Sequence, residues 1–179
     1  MIFANPVFRL LSASIVTLAC SLTHAAEGDP ANMVQWRPGF ISSAQPSEAY
    51  LKRARELGFH IVINLAPPEY PEAVANEGSI LAAQGVTYLN IPIQFGKPTA
   101  DDYRLFTQVM KMASRKSVLV HCQINQRGSA FSYLYRVIEE NASMEESREK
   151  LNSVWVPNLT WKKFLQSQLS SAGKKVDFF

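Results

Sequence analysis

Cysteine is scarce. Two occur in 179 residues, and one of them, Cys20, falls in an N-terminal run that reads as a leader. With that leader removed, Cys122 stands alone, which excludes an internal disulfide and with it a disulfide-stapled scaffold. Charge of one sign is nowhere concentrated. The net charge is +3 and no block of five like charges occurs, so a polybasic arm for nucleic acid is not indicated. No pair of His or Cys has metal-ligand spacing, so no metal is expected. No glycine-rich nucleotide loop follows an apolar run, and no cofactor is expected. The apolar run at 10–22 spans 13 residues, short of the roughly 20 a spanning helix requires.

What is present begins with that run. A free amine and Arg9 precede it, and Thr23 and Ala25 give small residues where a signal peptidase cleaves. Residues 1–25 are therefore read as a secretory leader, with a buried N-terminal helix as the structural alternative. Thr17, three residues before Cys20, is a poor residue for lipoprotein processing. The expected location is periplasmic or secreted, with no stable membrane span after cleavage. In an oxidising compartment a lone thiol is a liability, so retention of Cys122 points to use; the plain alternative is an inert buried cysteine.

The hydrophobic fraction of 47% and the 18% of charged residues fit one globular domain with a real core. Residues 26–38 read as an irregular lead-in. From 39 onward apolar strand-like runs alternate with helical periodicity. Strands are expected within 39–47, 59–66, 86–93 and 117–122, and helices over 48–58, 72–85, 101–114, 129–141, 143–155 and 158–173. The strands are apolar without alternation, which predicts a sheet covered on both faces. The expected fold is α/β, with a mainly parallel central sheet of four to five strands flanked by helices, in one domain over 39–179. In such sheets ligands bind beyond the carboxyl ends of the strands, and Cys122 stands at such an end.

The stretch SVLVHCQINQRGSAF (117–131) carries the chemistry. A strand, a short loop and a helix can turn backbone N–H groups inward as an anion cradle, with the helix N-terminus aimed at the same point. Cys122 is the candidate nucleophile there, since opposed positive charge favours its thiolate. Arg127 offers a planar fork for two oxyanion oxygens. Gln123, Ile124, Asn125, Gln126, Gly128 and Ser129 are the expected substrate-binding loop, with Asn125 able to adopt positive φ where a glycine would otherwise serve.

VHCQINQRGS resembles the signature of the cysteine-dependent protein phosphatases. The order of elements from residue 39 to about 140 is similar to the compact, dual-specificity-like branch, as in ISSAQPSEAYLKRARELGFHIVINLAPP and VTYLNIPIQFGKPTADDYRLF. The resemblance implies a phosphatase-like fold and a phosphorylated small molecule or protein as substrate. It also implies attack by Cys122 on phosphorus, with Arg127 as clamp and Ser129 hydrogen-bonding the sulfur. His121 would orient the loop, or simply be a buried histidine with its bonds made.

The family has five residues between Cys and Arg; here there are four. A loop of that length resembles the rhodanese-like sulfurtransferases, which implies a persulfide-handling alternative. A catalytically weak anion binder is a third reading. The carboxylate the family often places after the third strand is missing at Ile93-Gln94-Phe95. Asp101 is the candidate general acid in its place, with Asp102 as runner-up and Glu69 or Glu72 further alternatives. The same residues make a good helix start, with Thr99 capping and Asp102 at the third position.

Overall fold

The computed structural model describes Met1, residues 28–114 and residues 116–175. The leader, with Cys20, lies outside the described residues. Five strands form one sheet: β1 (Val34–Arg37), β2 (Phe40–Ser43), β3 (Ile61–Asn64), β4 (Thr87–Asn90) and β5 (Val118–His121), in the order β1-β2-β5-β3-β4. β2, β5, β3 and β4 run parallel, and β1 is an antiparallel edge on β2. The helices are α1 (Glu48–Leu51), α2 (Glu77–Ala82), α3 (Ala100–Ala113), α4 (Gln126–Ile138), α5 (Met144–Val154) and α6 (Leu159–Ser171).

The expected mainly parallel sheet between helices is what the chain builds. The lead-in is a correction: 34–37 is a strand, not irregular chain. Val34 and Trp36 point inward while Gln35 is exposed, and the turn through Pro38 and Gly39 (φ 73°) returns the chain to β2. The helices expected over 48–58 and 72–85 keep one turn and six residues of regular helix.

Side-chain alternation along the strands splits the core in two. Val62 and Leu119 face α1 and α2, where Tyr50, Leu51, Phe59, Leu81 and Val86 complete a smaller cluster. Ile61, Ile63, Val118 and Val120 face α3, α4 and α6, where Phe106, Phe131, Tyr135, Trp161 and Leu165 form the larger one. Phe131 is central there. It meets Phe106 edge-on at 5.5 Å and stacks on Phe164 at 5.6 Å, contacts worth about 0.5–1.5 kcal/mol each beyond burial. The helices that follow β2 and β3 thus cover one face and the helix that follows β5 covers the other. Where neighbouring strands send their helices to opposite faces a crevice opens at the strands' carboxyl ends. β5 has such a neighbour on each side.

Candidate active site

Cys122 is the residue that follows β5. It is fully buried and belongs to the larger apolar cluster. Its backbone N–H points to the Ser43 carbonyl at 3.4 Å, and the carbonyl of Gln123 accepts from the Gln45 N–H at 3.1 Å. Ile124 forms an antiparallel bridge with Ala44. The start of the loop is therefore latched to the chain leaving β2.

The loop is shorter than expected. α4 begins at Gln126, so Arg127, Gly128 and Ser129 lie in its first turn and only residues 123–125 are loop. Asn125 makes the turn at φ 68° in the left-handed region, where Asn is tolerated and most residues are not. Its side chain does not cap the helix. Instead Asn125 Nδ2 donates to the Asn32 carbonyl at 2.6 Å, and Oδ1 is buried without a hydrogen bond. That oxygen lies 2.5 Å from where a Cβ on Gly128 would stand. Gly128 is glycine because Asn125 occupies its side-chain space.

Arg127 is 3% exposed. Its Nε donates to the Ile93 carbonyl at 2.8 Å and an Nη2 hydrogen goes to the Tyr70 hydroxyl at 2.8 Å. The guanidinium carbon sits 5.3 Å from the ring centres of both Tyr70 and Phe95, cation–π contacts that gain strength when desolvated. Of its five N–H groups, two are used by these bonds among the described residues. Ser129 Oγ donates to the Gln126 carbonyl at 3.2 Å and accepts from Trp155 Nε1 at 3.2 Å. Ser129 Oγ thus has partners in its own helix turn and on Trp155.

The carboxylates separate clearly. Asp102 and Thr99 form the expected capping box, Thr99 N–H donating to Asp102 Oδ2 at 2.9 Å and Asp102 N–H to Thr99 Oγ1 at 3.1 Å. Asp101 has 78% of its side chain exposed and pairs with Arg104 at 3.2 Å. Phe95, in the Ile93-Gln94-Phe95 segment where the resemblance leads one to look for an acid, lies over Arg127. On the β3–α2 loop, Glu72 Oε2 accepts from Gln123 Nε2 at 3.2 Å.

His121 faces the opposite layer from Cys122. Its Nε2 is 2.7 Å from Glu77 Oε1, with both side chains buried. The contact is short but poorly aligned: neither atom makes a hydrogen bond of good geometry, and Nδ1 has no partner. Asn64 Nδ2 donates to Glu77 Oε2 at 3.2 Å and to the Tyr88 hydroxyl at 3.3 Å. Burial, and then the Glu77 charge, push the Tyr88 phenol up to about 12. Tyr70, Phe95, Trp155 and Glu77 were not anticipated as neighbours of this loop. All are distant in sequence, and single aromatics in loops give no local signal of what they cover.

Residues 33–137, more than half of the chain, match the family described as "Beta-lactamase hydrolase-like protein, phosphatase-like domain". The chain belongs to that family. A candidate phosphatase of the DUF442 group from Shewanella putrefaciens CN-32 is 29% identical, with a TM-score of 0.73 over 81% of this chain and 92% of that one. Two more distant structures share the fold. The core catalytic domain of the yeast (S. cerevisiae) PP-IP phosphatase SIW14 is 15% identical, TM-score 0.64, over 76% of this chain and 85% of that one. A mouse protein of the dual specificity phosphatase type is 18% identical, TM-score 0.63, over 83% and 93%. No curated protein matches the chain in sequence. No described helix is long and apolar enough to cross a membrane.

Proposed function

We propose that this chain hydrolyses a phosphate monoester through a cysteinyl-phosphate intermediate, in the manner of the dual-specificity-like phosphatases. One observation carries the reading. A thiol stands at the end of the central parallel strand, and in the first turn of the next helix a buried guanidinium keeps N–H groups uncommitted among the described residues. Cys122 attacks phosphorus as the thiolate. Arg127 and the amides that open α4 receive the equatorial oxygens, with the helix N-terminus adding its positive end. Water then releases phosphate from sulfur. Because Cys122 is fully buried, substrate entry requires local movement. The β3–α2 loop, moored by Tyr70 on Arg127 and Glu72 on Gln123, is the segment placed to give it.

The four-residue spacing between Cys122 and Arg127 favours a second reading, transfer of sulfur through a persulfide. Purified protein lacking residues 1–25 is tested for p-nitrophenyl phosphate hydrolysis and for thiosulfate-to-cyanide transfer, each beside Cys122→Ser. Phosphate release that vanishes in the variant supports the phosphatase. Thiocyanate formation that vanishes, with no phosphate release, replaces it with the sulfurtransferase. Silence in both, with phosphate raising the melting temperature, leaves an anion binder. We further infer that the chain acts after export to the periplasm or medium. Cell fractionation finding the intact 179-residue chain in the cytoplasm would rule that out.

A further inference from the structure

We propose that the proton for the leaving oxygen comes from Glu72 on the β3–α2 loop and not from the head of α3. The inference rests on the phosphatase reading above and names its acid. Phosphoryl transfer to a thiolate needs a donor within reach of the ester oxygen. The head of α3 is poorly placed to supply one. Asp102 is consumed by its capping box with Thr99, and Asp101 is turned to solvent and paired with Arg104 one turn along. Glu69 lines a neighbouring cavity of about 420 Å³ with Glu77 and Tyr88, on the His121 side of the sheet.

Glu72 is exposed like Asp101, and its contact is what sets it apart. It touches Gln123, the residue directly after the nucleophile. The backbone of Gln123 is itself fixed through its carbonyl to Gln45. Two residues before Glu72, the Tyr70 hydroxyl accepts from Arg127 and its ring lies on the guanidinium. The loop is thus moored at both catalytic ends, beside the cysteine and on the arginine. Pro67, Pro68 and Pro71 restrict its backbone.

The step balances without any further reagent. The Cys122 thiolate forms the S–P bond as the P–O bond breaks, and the Glu72 carboxylic acid gives its proton to the departing oxygen. Water then attacks phosphorus, Glu72 takes a proton from it, and the S–P bond breaks to return the thiolate.

The test compares 2,4-dinitrophenyl phosphate, whose leaving group needs no proton, with phenyl phosphate, whose leaving group does. For Glu72→Gln, kcat/KM, which reports the S–P bond-forming step alone, falls about 100-fold on phenyl phosphate while that on the dinitrophenyl ester stays within about threefold, and Glu72→Asp restores part of the loss. A residue that only shaped the loop would lower both esters alike, and that outcome overturns the assignment. So does the leaving-group signature appearing in Asp101→Asn with Glu72→Gln matching wild type. A wild type that cleaves both esters beside an unaffected Glu72→Gln sinks this assignment alone. A wild type that cleaves neither sinks the phosphatase reading and this assignment with it.

Discussion

His121 and Cys122 are adjacent in sequence and face opposite layers of the sheet, and their surroundings differ in kind. His121 looks toward α2 into a polar cluster of Glu77, Asn64 and Tyr88, where a buried imidazole and carboxylate face each other at 2.7 Å with poor alignment and Asn64 bridges Glu77 to Tyr88. Cys122 looks toward α4 into apolar packing, with a cation held nearby by a carbonyl and two aromatic rings and retaining free N–H groups. On one side a buried acid and base are confronted with each other, and on the other a single cation is held between a carbonyl and aromatic rings beside the loop that follows β5. Strand alternation separates these two settings across a single peptide bond.

Breaking the His121 side has the largest expected effect. Glu77→Ala leaves His121, Asn64 and Tyr88 facing an empty site, and breaking a buried polar pair from one side costs about 3–5 kcal/mol. Urea unfolding measures it. A Glu77→Met, His121→Leu double variant recovers much of the loss, because an apolar pair of similar volume needs no partner. If Glu77→Ala unfolds with the wild-type midpoint, the cluster is not what fixes the strand end.

On the Cys122 side the next effect is kinetic. Arg127→Lys keeps the charge but loses the planar fork and the Nε bond to Ile93, and a lost transition-state donor costs about 10²–10³ in kcat. Its stability changes less than that of Glu77→Ala. A variant with wild-type kcat on p-nitrophenyl phosphate would show that the fork is structural, and the contrast between the two sides would collapse.

A third, smaller effect lies in the turn between them. Gly128→Ala improves intrinsic helix propensity by about 1 kcal/mol, but the new methyl meets Asn125 Oδ1 at 2.5 Å. That oxygen cannot swing aside cheaply, because Asn125 Nδ2 is held by the Asn32 carbonyl. Overpacking of this kind costs about 1–3 kcal/mol, so destabilisation wins. Asn125→Gly removes the obstacle and keeps positive φ open, so the double variant is more stable than Gly128→Ala alone.

How much of this was legible in the sequence follows from how local each signal is. The parallel strands are continuous apolar runs, and the start of α3 carries its own capping residues, so both could be read directly. β1 was missed although Val34 and Trp36 alternate with Gln35 and a Pro-Gly turn follows; four residues are too few to stand out. The head of α4 was placed three residues late because Asn125 offers no side-chain cap, and burial of Arg127 and Ser129 sets that end. Cys122 and Arg127 could be named because they share a segment. Glu72 was named among further alternative acids, but the partners of Arg127 could not be read: Tyr70 is 57 residues away, and nothing in PPEYPE announces that a ring will lie on the guanidinium.

The smallest effect concerns the Tyr88 phenol on the His121 side. The Tyr88 phenol is raised from 10.0 to about 12, first by burial and then by the Glu77 charge. A folded pKa above the unfolded one means stability is intact below pH 10 and is lost as pH climbs toward 12, because the unfolded chain ionises first. Tyr50, Tyr103, Tyr133 and Tyr135 shift the same way, so wild type loses stability in alkali through several groups at once. Tyr88→Phe gives up the Asn64 bond, about 0.5–1.5 kcal/mol at neutral pH. It also removes one titrating group, so its urea midpoint declines less steeply from pH 10 to 12, by no more than about 1 kcal/mol per pH unit after solvent screening. Parallel declines in the two proteins would mean that burial and the Glu77 charge do not hold the Tyr88 phenol up.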